Sequence, residues 1–334
     1  MTKYRAVQVA ADGRLEPTER PLIEPNSGQV RIRVEACGIC HSDSAAVHPH
    51  SAGEASRVPG HEAVGRIDAL GERVTGWVIG DRVGVGFLGG QCGVCAECRR
   101  GNFVTCTDQP WTGVTVDGGY AEVMYARQSG VVAIPDALSA YEAAPLLCAG
   151  FTTFNALNKG AALPGDLVAI QGIGGLGHLG IQYARAMGLQ VAAIARGTDK
   201  AAIAAKLGAH HYLDSTAADV GAELQKLGGA HVIVATAARG AMSPLIAGLA
   251  PGGKLVTVGV SDQPVEVSTR DLIFRGVEIL GSLTGTSAQN EENLRFADAQ
   301  DIAALTELAP LADAASAYAR MLSGAARFRM VLTI

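Results

Sequence analysis

The chain lacks several features that would place it in a membrane or on nucleic acid. The chain of 334 residues contains no uninterrupted apolar run that approaches the roughly 18 residues needed to span a membrane. The N-terminal residues have no hydrophobic signal core. Lys and Arg total 27 against 32 Asp and Glu, and the net charge is −5. These absences argue against membrane and nucleic-acid partners, and we expect a cytoplasmic protein.

Repeats and low-complexity linkers are also missing, whereas apolar residues make up 48% of the chain. That content supports full hydrophobic cores, and the length leaves room for two domains. The seven cysteines in a chain without a signal indicate a reducing compartment, where thiols bind metals rather than form disulfides.

Four of the cysteines lie close together, at Cys92, Cys95, Cys98 and Cys106. Four thiolates in one loop can complete the tetrahedral shell of a zinc ion, and a complete shell leaves no position for substrate. The spacing therefore predicts a structural zinc. Disulfides or an iron–sulfur cluster are the alternatives.

A second set of metal-binding residues is dispersed, at Cys40, His61 and Cys148. Two thiolates and one imidazole make three protein ligands, and the open fourth position is typical of a catalytic zinc. Sequence spacing alone does not show that these residues converge, and ordinary core positions are the alternative. Cys37 is left over, and we expect it to be a small buried residue beside this site.

The second half of the chain carries a dinucleotide-binding signature. A β-branched apolar run at Leu167–Gln171 precedes a glycine-rich turn, and an amphipathic stretch follows. In the pattern G-x-G-x-x-G the first glycine permits the tight turn, the second allows backbone to approach the pyrophosphate, and the third allows close packing of helix on strand. The turn consists of Gly172, Ile173, Gly174, Gly175, Leu176 and Gly177.

Further apolar runs alternate with helical segments beyond this turn. With the first run they predict six strands of one doubly wound parallel sheet. The expected strands are 167–171, 190–195, 210–213, 231–236, 254–259 and 277–282.

The end of the second expected strand lacks the carboxylate that would bind the ribose 2′-hydroxyl of NAD. Ala195 takes that place, and Arg196 and Lys200 follow. A guanidinium pairs well with a 2′-phosphate, so we expect NADP(H) to be preferred over NAD(H). Asp199 is a rival ribose acceptor that lies too far into the turn, and Arg196 as a plain surface charge is the other interpretation.

These motifs together resemble the zinc-dependent medium-chain alcohol dehydrogenases over almost the whole length, and the bacterial and yeast-type tetrameric branch in particular. The matching segments are Cys-His-Ser-Asp at 40–43, Pro-Gly-His-Glu at 59–62, Gly-Asp-Arg-Val at 80–83, the four-cysteine segment, Asp-Gly-Gly-Tyr-Ala-Glu at 117–122, Leu-Cys-Ala-Gly at 147–150 and the turn at 172–177.

The resemblance implies an α/β protein of two domains with the active site in the cleft. A GroES-like β-barrel catalytic domain would span 1–147, with the structural-zinc lobe at 89–107. A Rossmann coenzyme domain would span 148–284, and residues 285–334 would return to the catalytic domain. The resemblance also suggests a homotetramer, or else a dimer.

The resemblance assigns roles around the catalytic zinc. Cys40, His61 and Cys148 would be its ligands, and Glu62 a nearby or exchanging one. Asp43 would accept a hydrogen bond from His61 and fix its orientation.

Three more residues gain roles toward coenzyme and substrate. His41 would contact the coenzyme pyrophosphate, and Arg329 is placed where the family carries a phosphate-contacting arginine. Ser42 would hydrogen-bond the substrate oxygen and start the proton relay.

The chain departs from the family in its relay and its substrate pocket. Ala45 stands where relatives have a histidine, so the relay is shortened or completed by His48 or His50. Phe87 replaces a frequent tryptophan, and Trp111 replaces a small polar residue. The resulting aromatic wall would suit larger or aromatic substrates, with core packing as the alternative for Trp111.

The expected protein is therefore an alcohol dehydrogenase or aldehyde reductase with two zinc ions per chain. Hydride would pass between NADP(H) and a small-molecule primary alcohol or aldehyde. An NAD-dependent enzyme of the same family, a zinc-free quinone or enone reductase, and a non-enzymatic zinc-binding protein are the alternatives.

Overall fold

A computed structural model describes residues 2–48, 56–237, 242–261 and 263–334. The chain forms two compact units. The first comprises Met1–Phe151 and Thr284–Ile334, and the second comprises Thr152–Leu283. The expected divisions at 147/148 and 284/285 differ from these by a few residues, and the difference places Cys148 in the first unit rather than the second.

The strands of the described residues follow the alternation of apolar and polar residues in the first unit and continuous apolar runs in the second. They are β1 (Lys3–Val9), β2 (Leu15–Pro21), β3 (Gln29–Ile39), β4 (Ala63–Leu70), β5 (Arg82–Val85), β6 (Val123–Arg127), β7 (Val131–Ala133), β8 (Leu167–Gln171), β9 (Gln190–Ala195), β10 (His211–Asp214), β11 (Ala230–Ala235), β12 (Leu249–Thr257), β13 (Glu278–Gly281), β14 (Thr306–Pro310) and β15 (Arg329–Thr333).

The helices of the described residues are short, and a π-helical segment, Leu146–Gly150, lies between the third and fourth of them. They are α1 (Ser44–Val47), α2 (Ala96–Arg99), α3 (Ala140–Pro145), α4 (Phe151–Gly160), α5 (Gly177–Ala186), α6 (Ala201–Lys206), α7 (Val220–Lys226), α8 (Ser243–Ile246), α9 (Thr269–Phe274), α10 (Ser287–Ala299) and α11 (Ala314–Leu322).

The first unit is built on a seven-stranded sheet in the order β14-β15-β3-β4-β5-β7, with β6 also paired to β3. The C-terminal strand β15 runs antiparallel to β3, with Met330 opposite Ile39. β1 and β2 form a separate antiparallel pair. A continuous apolar core joins the strands and includes the leftover Cys37, which is fully buried.

The second unit is one parallel sheet of six strands in the order β10-β9-β8-β11-β12-β13. Renumbered within the unit this is 3-2-1-4-5-6, the order of a Rossmann dinucleotide-binding sheet. The predicted doubly wound sheet is confirmed. The first two strands have the predicted bounds, whereas the other four differ at their ends, most of all β12, which begins five residues before the expected strand at 254.

Helix length bears on the expectation about membranes. In the part of the chain that the structure describes, no helix combines the length and the apolar character that a bilayer crossing requires.

Candidate metal and coenzyme sites

The four-cysteine lobe brings its sulfur atoms together. The ligand atoms of Cys92, Cys95, Cys98 and Cys106 all lie within 4.8 Å of one another. Backbone N–H groups point at the sulfurs, with Cys98 N 3.4 Å from Cys95 Sγ and Cys92 N 3.3 Å from Cys106 Sγ. The N–H of Cys98 lowers the pKa of the Cys95 thiol to about 5. A thiolate held by amides in this way is ready to bind a soft cation.

The dispersed residues form a second cluster in the first unit. Potential ligand atoms of Cys40, His61, Glu62 and Cys148 lie within 4.8 Å of one another, and all four residues are buried. The structure therefore brings together the three expected ligands, which lie up to 108 positions apart in the sequence, with Glu62 beside them.

Different elements position these ligands. Cys40 follows β3 and precedes a 3-10 turn at His41–Asp43, while His61 and Glu62 lead directly into β4. Cys148 lies in the π-helical segment, a geometry that is often found at functional sites.

The π-helical segment is held by two buried asparagines of α10. Asn290 Nδ2 donates to the carbonyl of Leu147 at 3.0 Å, and Asn293 Nδ2 donates to the carbonyl of Leu146 at 3.1 Å. Asn293 also donates to Asn290 Oδ1 at 3.1 Å. Sequence reasoning missed both asparagines, because no local motif marks a contact across more than 140 residues.

Asp43 connects the ligands Cys40 and His61. Its Oδ2 accepts the backbone N–H of Cys40 at 2.9 Å, and its Oδ1 lies 2.9 Å from His61 Nδ1. Tyr120, which sequence reasoning also missed as a site residue, donates its hydroxyl to the same Oδ2 at 2.8 Å. The carboxylate is therefore placed to hold the imidazole in one orientation.

The electrostatics of this cluster suit a cation. The hydrogen bond from Cys148 lowers the pKa of the Cys40 thiol, while the Cys40 sulfur raises that of Cys148. Burial disfavours the charged imidazole, but the Asp43 carboxylate and the Cys40 sulfur together outweigh burial and raise the pKa of His61. His61 Nε2 is buried and has no hydrogen-bond partner in the described ranges. Two sulfurs, an imidazole nitrogen and a carboxylate in one dry pocket fit zinc.

Glu62 and Arg329 form a buried ion pair. Arg329 Nη2 lies 2.5 Å and 2.6 Å from the two carboxylate oxygens of Glu62. Burial raises the pKa of Glu62 to about 7, although Arg329 opposes that rise. Arg329 is thus occupied with Glu62, and its expected contact with coenzyme phosphate stays a prediction.

The expected relay residues lie on the turn after Cys40. His41, Ser42 and Ala45 are exposed, and so is His48, whereas Asp43 is buried. His50, the other proposed substitute for the missing histidine, lies outside the described residues.

The rings of the two expected pocket aromatics, Phe87 and Trp111, contact each other beside the metal cluster. The rings of Phe87 and Trp111 are stacked at 6.0 Å between centroids, and Phe87 meets the His61 ring edge-on at 5.1 Å. A β-bridge between Leu88 and Trp111 holds the pair together. Trp111 is 46% exposed, so its ring is only partly packed against the protein, and its place in a substrate pocket stays a prediction.

The glycine turn of the second unit has the geometry of a phosphate cradle. Gly172 has a φ of +91°, and a Cβ on Gly177 would lie 1.7 Å from the carbonyl oxygen of Gly172. A Cβ on Gly174 would meet nothing within 4 Å, so this backbone is open to a ligand at the N-terminus of α5. Lys200 Nζ donates to the carbonyl of Ile173 at 2.7 Å and steadies the turn. These residues fit a dinucleotide.

The second strand of this sheet ends at Ala195, and Arg196 is exposed with no ion-pair partner among the residues that the structure covers. An unexpected carboxylate lies nearby, because Asp214 is paired with Ala195 in the adjacent strand. Asp214 Oδ1 accepts the backbone N–H of Gly197 at 2.8 Å and both the N–H and hydroxyl of Thr216. Sequence reasoning examined only the second strand and missed it.

Comparisons with known families and structures agree with both units. The family described as alcohol dehydrogenase GroES-like domain matches residues 26–136, and the zinc-binding dehydrogenase family matches residues 175–299. The alcohol dehydrogenase patD of Penicillium expansum is 43% identical over 317 residues, covering 95% of this chain and 93% of its own.

The chain belongs to the zinc-dependent medium-chain alcohol dehydrogenase family. An alcohol dehydrogenase of Geobacillus stearothermophilus is 39% identical over 96% of each chain. The solved structure of a cinnamyl alcohol dehydrogenase from Sorghum bicolor is 31% identical with a TM-score of 0.88, over 99% of this chain and 98% of that one. The predicted GroES-like and Rossmann fold is confirmed, and the enzyme class is that of an alcohol dehydrogenase, an oxidoreductase.

Proposed function

We propose that this enzyme is a zinc-dependent alcohol dehydrogenase or aldehyde reductase that prefers NADP(H). The observation that carries the zinc dependence is the buried set of Cys40, His61, Glu62 and Cys148, with Asp43 beside the imidazole. If these positions served only for packing, apolar residues would serve better, because buried polar groups without partners are costly. The four-cysteine lobe would hold a second, structural zinc.

Each part of the site has a task in this reaction. When bound, zinc would polarise the oxygen of the alcohol or aldehyde, and the nicotinamide would carry the hydride. Cys40, His61 and Cys148 would hold the metal, and Asp43 would keep the imidazole in one orientation. Ser42 Oγ, exposed on the turn next to these ligands, takes or returns the proton of the substrate oxygen.

The coenzyme preference rests on charge at the end of β9. Ala195 offers no carboxylate to a ribose 2′-hydroxyl, and the exposed guanidinium of Arg196 is free to bind a 2′-phosphate. Asp214 weighs against this preference, since its carboxylate lies on the adjacent strand. However, three hydrogen bonds already engage its Oδ1, so that oxygen is turned toward Gly197 and Thr216. The NAD-dependent reading is the alternative that binding measurements must exclude.

The substrate class follows from the aromatic wall. Phe87 lies edge-on to His61, and the half-exposed Trp111 extends the wall outward from the metal cluster. Aromatic faces bind flat apolar groups well. We therefore expect aromatic or bulky primary alcohols and aldehydes to be better substrates than ethanol or acetaldehyde.

A homo-oligomer is the proposed state in solution. Strand β13 is one edge of the parallel sheet, and α9, which precedes it in the chain, exposes Ile273 by 73% and Phe274 by 78%. Unpaired edges and large exposed apolar side chains favour association. Light scattering of wild type and Phe274→Lys tests this, since a wild-type monomer would refute it.

A cytoplasmic location is proposed from the thiols. The structure contains seven free cysteines, and six of them belong to the two metal clusters. Cysteines without disulfides that serve as metal ligands are typical of a reducing compartment.

The test of the proposed function combines metal analysis with an activity panel. Wild type should carry two zinc ions per chain and reduce aromatic aldehydes with NADPH faster than with NADH. One zinc per chain together with no turnover of any alcohol or aldehyde would refute the enzymatic role. Turnover of quinones or enones without zinc would favour the zinc-free reductase.

A further inference from the structure

The segment Asp-Gly-Gly-Tyr-Ala-Glu at 117–122 contains a tyrosine for which the reaction outlined above has no use. Tyr120 is fully buried, and its hydroxyl donates to Asp43 Oδ2 at 2.8 Å. The same oxygen accepts the N–H of Cys40, and the other oxygen lies 2.9 Å from His61 Nδ1. One carboxylate thus connects two metal ligands with the phenol of Tyr120.

The place of the Tyr120 ring is built into the backbone just before His61. Gly60 has a φ of +98°, and a Cβ there would lie 2.3 Å from Cδ1 of the Tyr120 ring. Any side chain at position 60 would therefore expel the ring. Because Gly60 has no side chain, the Tyr120 ring packs directly against the backbone just before His61.

Backbone hydrogen bonds join the two segments. The N–H of Tyr120 donates to the carbonyl of Pro59 at 3.0 Å, and the N–H of Gly119 donates to the carbonyl of Gly60 at 2.9 Å. The carbonyl of Tyr120 in turn accepts the N–H of Val7 at 2.8 Å. The phenol is therefore fixed at its backbone as well as at its hydroxyl, next to the segment that carries His61.

This arrangement restricts Asp43. A carboxylate with one hydrogen bond can rotate about its terminal torsion, which has a broad energy minimum. The N–H of Cys40 and the hydroxyl of Tyr120 both reach Oδ2, so Oδ1 is left for the imidazole. Outer partners of a metal-binding histidine commonly change metal affinity by about 10- to 100-fold.

We propose that Tyr120 is a positioning residue that acts through Asp43 to fix the orientation of His61 and so to retain the metal at the Cys40 cluster. The role rests on the proposed function, because it requires a metal at that cluster. Loss of the Tyr120 hydroxyl should therefore weaken metal retention at the Cys40 cluster and leave the four-cysteine lobe unchanged.

The test is the rate at which the full-length, zinc-loaded protein releases each metal to a chelator, followed with a metal indicator dye. Wild type should show two phases, and Cys148→Ser identifies the phase of the Cys40 cluster. Tyr120→Phe keeps the ring and removes the hydroxyl. It should release zinc from that cluster about tenfold faster and leave the phase of the four-cysteine lobe unchanged.

A matched control is Tyr125→Phe, whose hydroxyl also makes hydrogen bonds, to the backbone of Ile23. It should change neither phase. If Tyr125→Phe accelerates release as much as Tyr120→Phe, the effect is one of general loosening and the proposal is wrong.

A double-mutant cycle separates positioning from a structural effect. In the background of Asp43→Ala, the change Tyr120→Phe should no longer accelerate release, because position 43 no longer offers an oxygen to the Tyr120 hydroxyl. An undiminished acceleration in that background would overturn the proposal, as would wild-type release rates in Tyr120→Phe. A wild type that retains only the zinc of the lobe would instead refute the proposed function, and this role with it.

Discussion

Asn290 donates a 3.0 Å hydrogen bond to the carbonyl of Leu147, one residue before the candidate ligand Cys148. Both asparagine side chains of this contact, Asn290 and Asn293, are buried, and together they fix the carbonyls at the start of the π-helical segment. The π-helical turn interrupts the α-helical pattern of hydrogen bonds around this thiol, so its placement depends on additional contacts. The asparagines supply that placement from a distant part of the chain.

Asn290→Ala should therefore lower both stability and zinc retention. The carbonyl of Leu147 would lose its donor in a buried place, which costs about 1–3 kcal/mol in the free energy of unfolding. Denaturant titration measures the loss, and zinc content after dialysis measures retention. Asn158→Ala, at an exposed helical position, is the control and should change the unfolding free energy by less than about 0.5 kcal/mol. Equal stability of the two variants would contradict the role given to Asn290.

The two cysteine clusters should respond differently to the loss of one thiolate. Cys95→Ser should lower the melting temperature and the zinc content, because folding of the lobe is coupled to its metal. Cys148→Ser should chiefly abolish turnover while the lobe keeps its zinc. Calorimetry, metal analysis and initial rates on the same samples test this. Near-normal turnover by Cys148→Ser with full zinc content would show that the catalytic assignment is wrong.

Ser42→Ala tests the proton path. The hydroxyl lies on the exposed turn after Cys40, and general acid–base assistance is typically worth about 10²–10⁴-fold. We expect a loss at the low end of that range at neutral pH, since Ala45 stands where a longer relay would have its histidine. The pH dependence of the rate is the decisive measurement. Ser44→Ala, two residues along, is the control, and a profile for Ser42→Ala identical to wild type would exclude Ser42.

How much of this molecule the sequence predicts depends on the range of the contacts involved. The parallel sheet followed from apolar runs and a local turn, because strand, glycine turn and helix are contiguous. The four-cysteine lobe was equally predictable from the sequence, since its four ligands lie within 15 residues. The other cluster was assembled by resemblance, because spacing says nothing about convergence. The contacts of Tyr120 with Asp43 and of Asn290 with Leu147 span 77 and 143 residues and had no local signal.

Acid should destabilise the second unit in part through His210. His210 is exposed, but partial desolvation of its ring, followed by the nearby charges of Arg185 and His211, lowers its pKa below the usual value. Its Nδ1 accepts the N–H of Val191, and its Nε2 faces Arg185 Nη1. The native state thus binds a proton less readily than the unfolded chain. Its contribution to stability is present above about pH 6.5 and is lost as the pH falls through the lowered pKa.

His210→Gln should therefore flatten the decline in melting temperature between neutral pH and pH 5.5 relative to wild type. His48→Gln, which removes a histidine of the first unit, serves as the control and should leave the decline as it is. An unchanged slope for His210→Gln would show that other groups carry the acid sensitivity.

The coenzyme preference has two proposed causes, the missing carboxylate at Ala195 and the guanidinium of Arg196, which mutations can separate. A hydrogen bond to a charged group contributes about 1.5–3 kcal/mol, which corresponds to a preference for NADPH of about 10- to 100-fold. Arg196→Ala should weaken NADPH and leave NADH nearly unchanged. Ala195→Asp should strengthen NADH by offering an acceptor to the ribose hydroxyls and should penalise NADPH by repulsion. Fluorescence titration gives the dissociation constants.

Controls distinguish a specific phosphate contact from the general charge of the unit. Lys206→Ala removes one exposed positive charge from the same unit and should leave the preference intact. Asp214→Asn should strengthen NADPH slightly, because it removes a negative charge beside the strand end of Ala195. The preference should also shrink as salt rises, since the contact is exposed and therefore screened. If wild type binds both coenzymes equally and Arg196→Ala changes neither constant, Arg196 is a surface charge and the enzyme is not NADP-specific.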